Sequence, residues 1–258
     1  MTDDLVINFQ DQGNLFNFLR DLPVLLTVEE AQLLYRLAQR SLAAGVIVEI
    51  GSFRGGSAII LAKGVAEGNG NKVYAIDPLP LLEKKLLIKE NLKKAGVADR
   101  VELIFQKSET VVRNWNKPIS LLWIDGSKDY DNPKLDFLAW EKFLIKGGVI
   151  AFHDSRQSIN VAPNSGRLIP GFVGTERVVK KYLIDSPRFI KIRFIDSITF
   201  AKKIKNPGWR EIFSRWSFLN RIKIKRKIEK FDQLLGRLGQ WLEKKSPSVY
   251  RLIKKIKP

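Results

Sequence analysis

Four apolar runs in this sequence end in residues whose types could do chemistry together. Leu122-Trp123-Ile124 runs into Asp125, and Lys128 follows three residues later. Val149-Ile150-Ala151-Phe152 runs into His153 and Asp154. Two carboxylates and an imidazole suit an octahedral divalent cation that retains waters, such as Mg²⁺ or Mn²⁺. His153 is the only histidine of the chain, so no other imidazole competes for the role. Val46-Ile47-Val48-Glu49-Ile50 runs into Gly51, which opens a turn to Gly55. Val73-Tyr74-Ala75-Ile76 runs into Asp77.

A buried strand that hands over to a helix through glycines is a ligand-binding edge of an open α/β sheet. The spacing excludes a dinucleotide. That fingerprint needs a second glycine two positions after the first, where this chain has Phe53. Glu49 also sets a negative charge beside the turn. A ligand with an amine, a carboxylate and a ribose, but no phosphate, fits better. The two oxygens of Asp77 could accept both ribose hydroxyls. Structural readings stand beside these: Asp77 as a solvated strand end, Asp125 as a loop cap, and His153-Asp154 as a buried pair.

The elements that must position these residues alternate along the chain. Thr27-Val28-Glu29-Glu30 is a capping box, and apolar spacing predicts a helix from Val28 to Leu42. Strands are predicted at 46–50, 72–76, 101–105, 119–124 and 147–152, and helices at 56–67, 80–95, 108–115 and 132–145. This alternation predicts a parallel sheet with right-handed crossovers, hence an α/β fold in three layers. Residues 155–171, rich in Ser, Asn, Pro and Gly, form a loop over the carboxyl edge, either a lid or an idle surface loop. A helix follows over 174–184. Arg188 to Lys202 reads as two strands turning at Asp196-Ser197.

Glu49-Ile50-Gly51-Ser52-Phe53-Arg54-Gly55 together with Asp77 resembles the class I S-adenosylmethionine-dependent methyltransferases. The resemblance covers about residues 45–200 and implies a Rossmann-like, mostly parallel sheet closed by a C-terminal antiparallel hairpin. It implies S-adenosylmethionine as cofactor, bound by Glu49, Gly51, Gly55 and Asp77. Ser108 and Glu109 fall where the family places an adenine-contacting pair, although Ser108 reads equally well as a helix N-cap. The cluster at Asp125, His153 and Asp154 is similar to the branch containing catechol O-methyltransferase and the macrolide-sugar O-methyltransferases. There a metal chelates neighbouring hydroxyls, acidifies one, and holds it in line with the sulfonium methyl. Asp125, His153 and Asp154 fall on the metal ligands. His153 replaces the carboxylate of the catechol enzymes, as in many members of the wider branch. Lys128 falls on the catechol enzymes' general base, where sugar-modifying relatives carry histidine. Base and substrate-positioning roles both remain open for it. Asp125 and His153 join it as candidate catalytic residues.

Composition separates a body from a tail. Net charge is +18, but residues 202–258 hold 18 Lys/Arg against 4 Asp/Glu, leaving the body close to ordinary. The chain has no cysteine, which excludes a disulfide framework and thiolate metal sites. No apolar run approaches the roughly 20 residues of a spanning helix, and Met1-Thr2-Asp3-Asp4 does not read as a signal peptide. A cytoplasmic protein is expected, in three parts: a helical segment 1–44, a methyltransferase domain 45–202 and a basic helical tail 203–258. In the tail, Trp209, Ile212, Phe213, Trp216, Leu219, Ile224, Ile228, Phe231, Leu235, Leu238 and Leu242 recur at helical spacing between lysines and arginines. That face could lie on the anionic inner membrane surface, or pack on the body or another subunit of a homo-oligomer; nucleic acid fits less well. The expected function is O-methylation of a hydroxyl on a sugar, glycolipid or small polyhydroxy molecule. The alternative is a non-catalytic or non-methylating cofactor-binding protein tethered to a membrane surface.

Overall fold

A computed structural model describes residues 24–68, 71–156 and 173–206, the backbone of 160–161 and 168–169, and scattered positions between 208 and 246. The chain divides into two compact units, Met1–Pro207 and Gly208–Pro258.

In the first unit the capping box is formed. Thr27 accepts the Glu30 N–H and Glu30 accepts the Thr27 N–H, starting α1 (Val28–Gln39). The sheet then builds by alternation: β1 (Val46–Ile50), α2 (Gly56–Glu67), β2 (Val73–Ile76), α3 (Leu82–Lys94), β3 (Val101–Ile104), α4 (Ser108–Val111), β4 (Ile119–Ile124), α5 (Asp131–Trp140) and β5 (Leu144–Phe152). A two-stranded ribbon, β6 (Asn160–Val161) with β7 (Leu168–Ile169), precedes α6 (Val173–Val179), a π-helical turn Lys180–Ile184, and the hairpin β8 (Phe189–Ile195) and β9 (Ile198–Lys203). The main sheet runs β3-β2-β1-β4-β5-β9-β8, parallel except for the antiparallel pairings of β9 with β5 and β8. This is the Rossmann-like sheet with a closing hairpin that the sequence predicts.

Strand alternation sends successive side chains to opposite faces. Ile47, Leu121 and Trp123 join the core that includes α1 and α2, while Phe152 meets Phe137 of α5 on the other face. Helices therefore cover both sides. A buried ion cluster ties the hairpin down: Glu141 pairs with Arg188 at 2.7 Å and with Lys203 at 2.9 Å.

Several boundaries differ from the sequence reading. Helix 132–145 stops at Trp140, because Leu144-Ile145-Lys146 already belong to β5. Gly147 lies inside that strand with φ +86°. Helix 108–115 shrinks to four residues, and Trp115 leaves it to meet the Tyr74 and Trp140 rings. The 155–171 segment carries the β6–β7 ribbon, which the loop reading did not anticipate.

In the second unit, the described positions between 233 and 245 are helical, with Leu234, Leu238 and Trp241 exposed. Residues 1–23 and the apolar tail positions from Trp209 to Trp216 and from Ile224 to Phe231 lie outside the described residues, as do Leu219, Leu235 and Leu242. Among the described residues, no helix is long and apolar enough to cross a membrane.

Candidate active site at the carboxyl edge of the sheet

Register gathers the site. Ile50 pairs with Ile76 on one side and Ile124 on the other, and Ile124 pairs with Phe152. The residue after each of these is Gly51, Asp77, Asp125 or His153. Backbone bonds continue one residue past the strands: Gly51 N–H to Ile76 O at 2.9 Å, Asp125 N–H to Ile50 O at 2.8 Å, and His153 N–H to Ile124 O at 3.1 Å. Four strands thus deliver four candidate residues to one edge.

The glycine turn is shaped by conformation and crowding. Gly51 has φ +94° and Gly55 φ +87°, both in the left-handed region. A Cβ on Gly51 would stand 2.4 Å from the Asp125 carbonyl oxygen. Asp77 locks this turn. Its Oδ2 accepts the N–H groups of Ser52 at 3.0 Å and Phe53 at 2.9 Å, and its Oδ1 accepts that of Leu79 at 3.1 Å. A carboxylate offers about four acceptor positions, so the turn consumes most of them and leaves room for about one ribose hydroxyl rather than two.

Glu49 is fully buried. Its Oε1 accepts the Ser57 hydroxyl from the first turn of α2, while Oε2 has no partner within hydrogen-bond reach. Burial pushes its carboxyl up to about 8; the Ser57 hydroxyl opposes this, and the charges of Asp125 and Asp77 add to it. Ser108 does not cap α4, whose N-cap is Lys107; its hydroxyl donates to Asp136. Glu109 lies beside it in the first turn of α4, half-buried.

The second cluster is a network of opposite charges. Lys128 donates to Asp125 Oδ1 and lies 3.1 Å from Asp154 Oδ2. His153 Nδ1 is 2.8 Å from Asp125 Oδ1 and 3.5 Å from Asp154 Oδ2. Asp154 holds φ +49°, and its N–H donates to the Ser197 hydroxyl at 3.3 Å. Asp125, His153 and Asp154 each offer one ligand atom, all within 4.8 Å of one another. The set fits a divalent cation in number, spacing and chemistry. Lys128 now bridges the two carboxylates that would share such an ion.

Sequence reasoning missed Glu30, which it read only as the last residue of a capping box. Its Oε2 also lies 3.4 Å from His153 Nε2, and its Oε1 accepts from Ser197 N–H at 3.0 Å and Ser197 Oγ–H at 2.6 Å. Burial alone would lower the His153 pKa and raise that of Glu30. Hydrogen bonding outweighs it in both cases: Asp125 and Glu30 hold the imidazole up at about 9, and His153, Ser197 and Thr27 hold Glu30 down at about 2.

Residues 48–155 match a protein family described as a methyltransferase domain. That span contains the glycine turn, Asp77, Asp125, Lys128, His153 and Asp154. Solved structures share the fold. A cofactor-bound protein from MTB is 22% identical with a TM-score of 0.58, covering 76% of this chain and 92% of its own. An O-methyltransferase from Bacillus cereus in complex with S-adenosylhomocysteine is 22% identical, TM-score 0.51, covering 69% and 82%. The O-methyltransferase TomG from Streptomyces achromogenes, in complex with S-adenosylmethionine, is 20% identical, TM-score 0.54, covering 76% and 92%. Residues 48–155 thus match a methyltransferase domain, and the sheet around them has the fold of the S-adenosylmethionine-dependent O-methyltransferases.

Proposed function

We propose that this enzyme methylates a hydroxyl group of a sugar, glycolipid or other small polyhydroxy molecule, with a divalent cation held by Asp125, His153 and Asp154. The observation that carries the reading is the joining of two carboxylates and an imidazole at the ends of β4 and β5, beside the turn where Gly51 and Asp77 end β1 and β2. The printed names of the Bacillus and Streptomyces structures, both O-methyltransferases with cofactor bound, support the same reaction class.

Each residue has a physical task in this reading. The Gly51–Gly55 turn lets backbone come close to the cofactor, and the spare acceptor position of Asp77 takes a ribose hydroxyl. Glu49, out of contact with solvent, ties β1 to the start of α2 and stiffens the turn. A cation at the second cluster would supply positive charge that acidifies a substrate hydroxyl and aligns it with the sulfonium methyl. Lys128 already donates to two carboxylates, so it serves as a donor that positions the acceptor oxygen; to act as base it would first have to give up a proton. Methyl transfer forms an O–C bond and breaks the S–C bond, and the hydroxyl proton leaves toward the carboxylates of the cluster. Asp125, Asp154 and Lys128 side chains remain 18, 17 and 21% exposed, so substrate can reach them. Removing metal with chelator should abolish turnover, and Mg²⁺ or Mn²⁺ should restore it. Full turnover after exhaustive chelation would reject the metal and leave Lys128 as the cation of the site.

The tail supports a second assignment. With 18 Lys/Arg against 4 Asp/Glu over 202–258, and Leu234, Leu238 and Trp241 exposed on helical positions, it has the chemistry of a segment that lies on anionic lipid. This would hold the enzyme at the cytoplasmic face of the inner membrane.

A further inference from the structure

We propose that Glu30 is a positioning residue for the metal site: with a cation bound, it accepts the Nε2–H of His153, so that the Nδ1 lone pair faces the ion shared with Asp125 and Asp154. The inference rests on the metal reading above and adds a residue from outside the methyltransferase motifs.

The geometry carries it. The two ring nitrogens of His153 meet different carboxylates: Nε2 is 3.4 Å from Glu30 Oε2, while Nδ1 is 2.8 Å from Asp125 Oδ1 and 3.5 Å from Asp154 Oδ2. A neutral imidazole has one N–H and one lone pair, and an ionised carboxylate can only accept. With the proton on Nδ1, the Nε2 lone pair would face the Glu30 oxygen, acceptor against acceptor in a buried place. With the proton on Nε2, Glu30 is satisfied and the Nδ1 lone pair faces Asp125 at 2.8 Å, an arrangement that is favourable once a cation lies between them. Only the second tautomer can ligate an ion shared with Asp125 and Asp154. The arrangement is carboxylate, histidine, metal, in which the outer carboxylate sets ring orientation and basicity.

Glu30 is itself held still. Thr27 N–H donates to Oε2 at 3.0 Å, and Ser197 donates twice to Oε1. It is 3% exposed, and the Trp123 ring stands 5.6 Å from the imidazole on another side. The same carboxylate thus starts α1, anchors the β8–β9 turn and reaches the ring. This also gives His153 a reason to replace a carboxylate: a third anionic ligand beside Glu30 would leave two carboxylates face to face.

Because His153 is the only histidine, its ring nitrogens can be read individually by ¹⁵N NMR. With saturating diamagnetic Mg²⁺, the wild type should show the Nε2–H tautomer with Nδ1 shifted by the ion, and Glu30→Ala should lose that pattern at the same Mg²⁺ concentration. Mn²⁺ affinity, followed by electron paramagnetic resonance, should fall about ten- to hundredfold in Glu30→Ala, the range for loss of such an outer partner. Glu30→Gln keeps the side-chain volume and one acceptor oxygen, so it covers the case where the alanine variant does not fold; it should lose less. Thr27→Ala removes the hydroxyl half of the helix cap and leaves the Glu30 carboxylate, so it should bind Mn²⁺ like wild type. If the Glu30 variants keep wild-type affinity while His153→Ala loses it, or if Thr27→Ala reproduces the loss, Glu30 is only a cap and the inference is overturned with the metal site intact. If the wild type binds no Mn²⁺, the metal reading falls and the inference falls with it.

Discussion

Asp77 Oδ2 accepts the Ser52 N–H at 3.0 Å, so the acid that ends β2 also fastens the turn that follows β1. One carboxylate shapes the glycine turn and, in the proposed function, keeps only part of its accepting capacity for the cofactor. Asp77→Ala should therefore weaken S-adenosylmethionine binding by about 1.5–3 kcal/mol, the scale of hydrogen bonds to a charged acceptor. Asp77→Asn should lose less, because its amide oxygen still accepts. Calorimetry giving equal affinities for wild type and the alanine variant would remove the assignment.

Gly51→Ala tests the crowding between β1 and β4. The new Cβ would meet the Asp125 carbonyl at 2.4 Å, at a φ of +94° that alone costs about 1–3 kcal/mol. The thermal midpoint should drop and cofactor binding should be lost. A variant that melts and binds like wild type would mean that the turn sits elsewhere.

Stability should depend on pH through the Glu30–His153 contact. The folded pKa of His153 is raised from 6.5 to about 9, so its contribution is complete below 6.5 and is lost as pH climbs through 9. That of Glu30 is lowered from 4.5 to about 2, so its contribution is complete above 4.5 and is lost as pH falls toward 2. Glu49, raised from 4.5 to about 8, adds a decline that begins at 4.5, where the unfolded chain ionises it, and is complete near 8. Metal-free protein should melt highest near pH 4.5 and lose stability progressively toward pH 9. His153→Asn should flatten the alkaline limb; a limb unchanged by that substitution would contradict the pairing.

Much of this was legible in the sequence because it is local. Apolar runs ending in Gly51, Asp77, Asp125 and His153 mark parallel strands, and parallel register must bring their ends to one edge. Glu30 was legible only as a cap, since its contact with His153 spans 123 residues and no spacing rule reports it. Ser108 read as a cap for the opposite reason: local propensity favoured it, but Asp136 across 28 residues took its hydroxyl. The start of β5 was hidden by Gly147-Gly148, which read as the first residues of a strand at 147–152 and lie inside one that begins at Leu144.

The tail can be tested in the full chain. It should co-sediment with vesicles containing anionic lipid, with attraction of about 1 kcal/mol per basic residue close to the surface. Neutral vesicles should hold far less protein, and added salt should release it as the Debye length shortens. Indifference to anionic vesicles at low salt would make the lysines a solvated face.

The central claim is methyl transfer to oxygen at the Asp125–His153–Asp154 cluster. Its most direct test supplies S-adenosylmethionine labelled in the methyl group to the purified enzyme with a pool of sugars, glycolipids and polyhydroxy compounds, and follows the label by mass spectrometry and NMR. The wild type should place the label on a hydroxyl oxygen. Asp125→Asn and Asp154→Asn should lower the rate at least about a hundredfold, the scale of a group that orients the reacting atoms, while binding cofactor normally. Label carried to nitrogen or carbon, or both variants turning over at the wild-type rate, would contradict it.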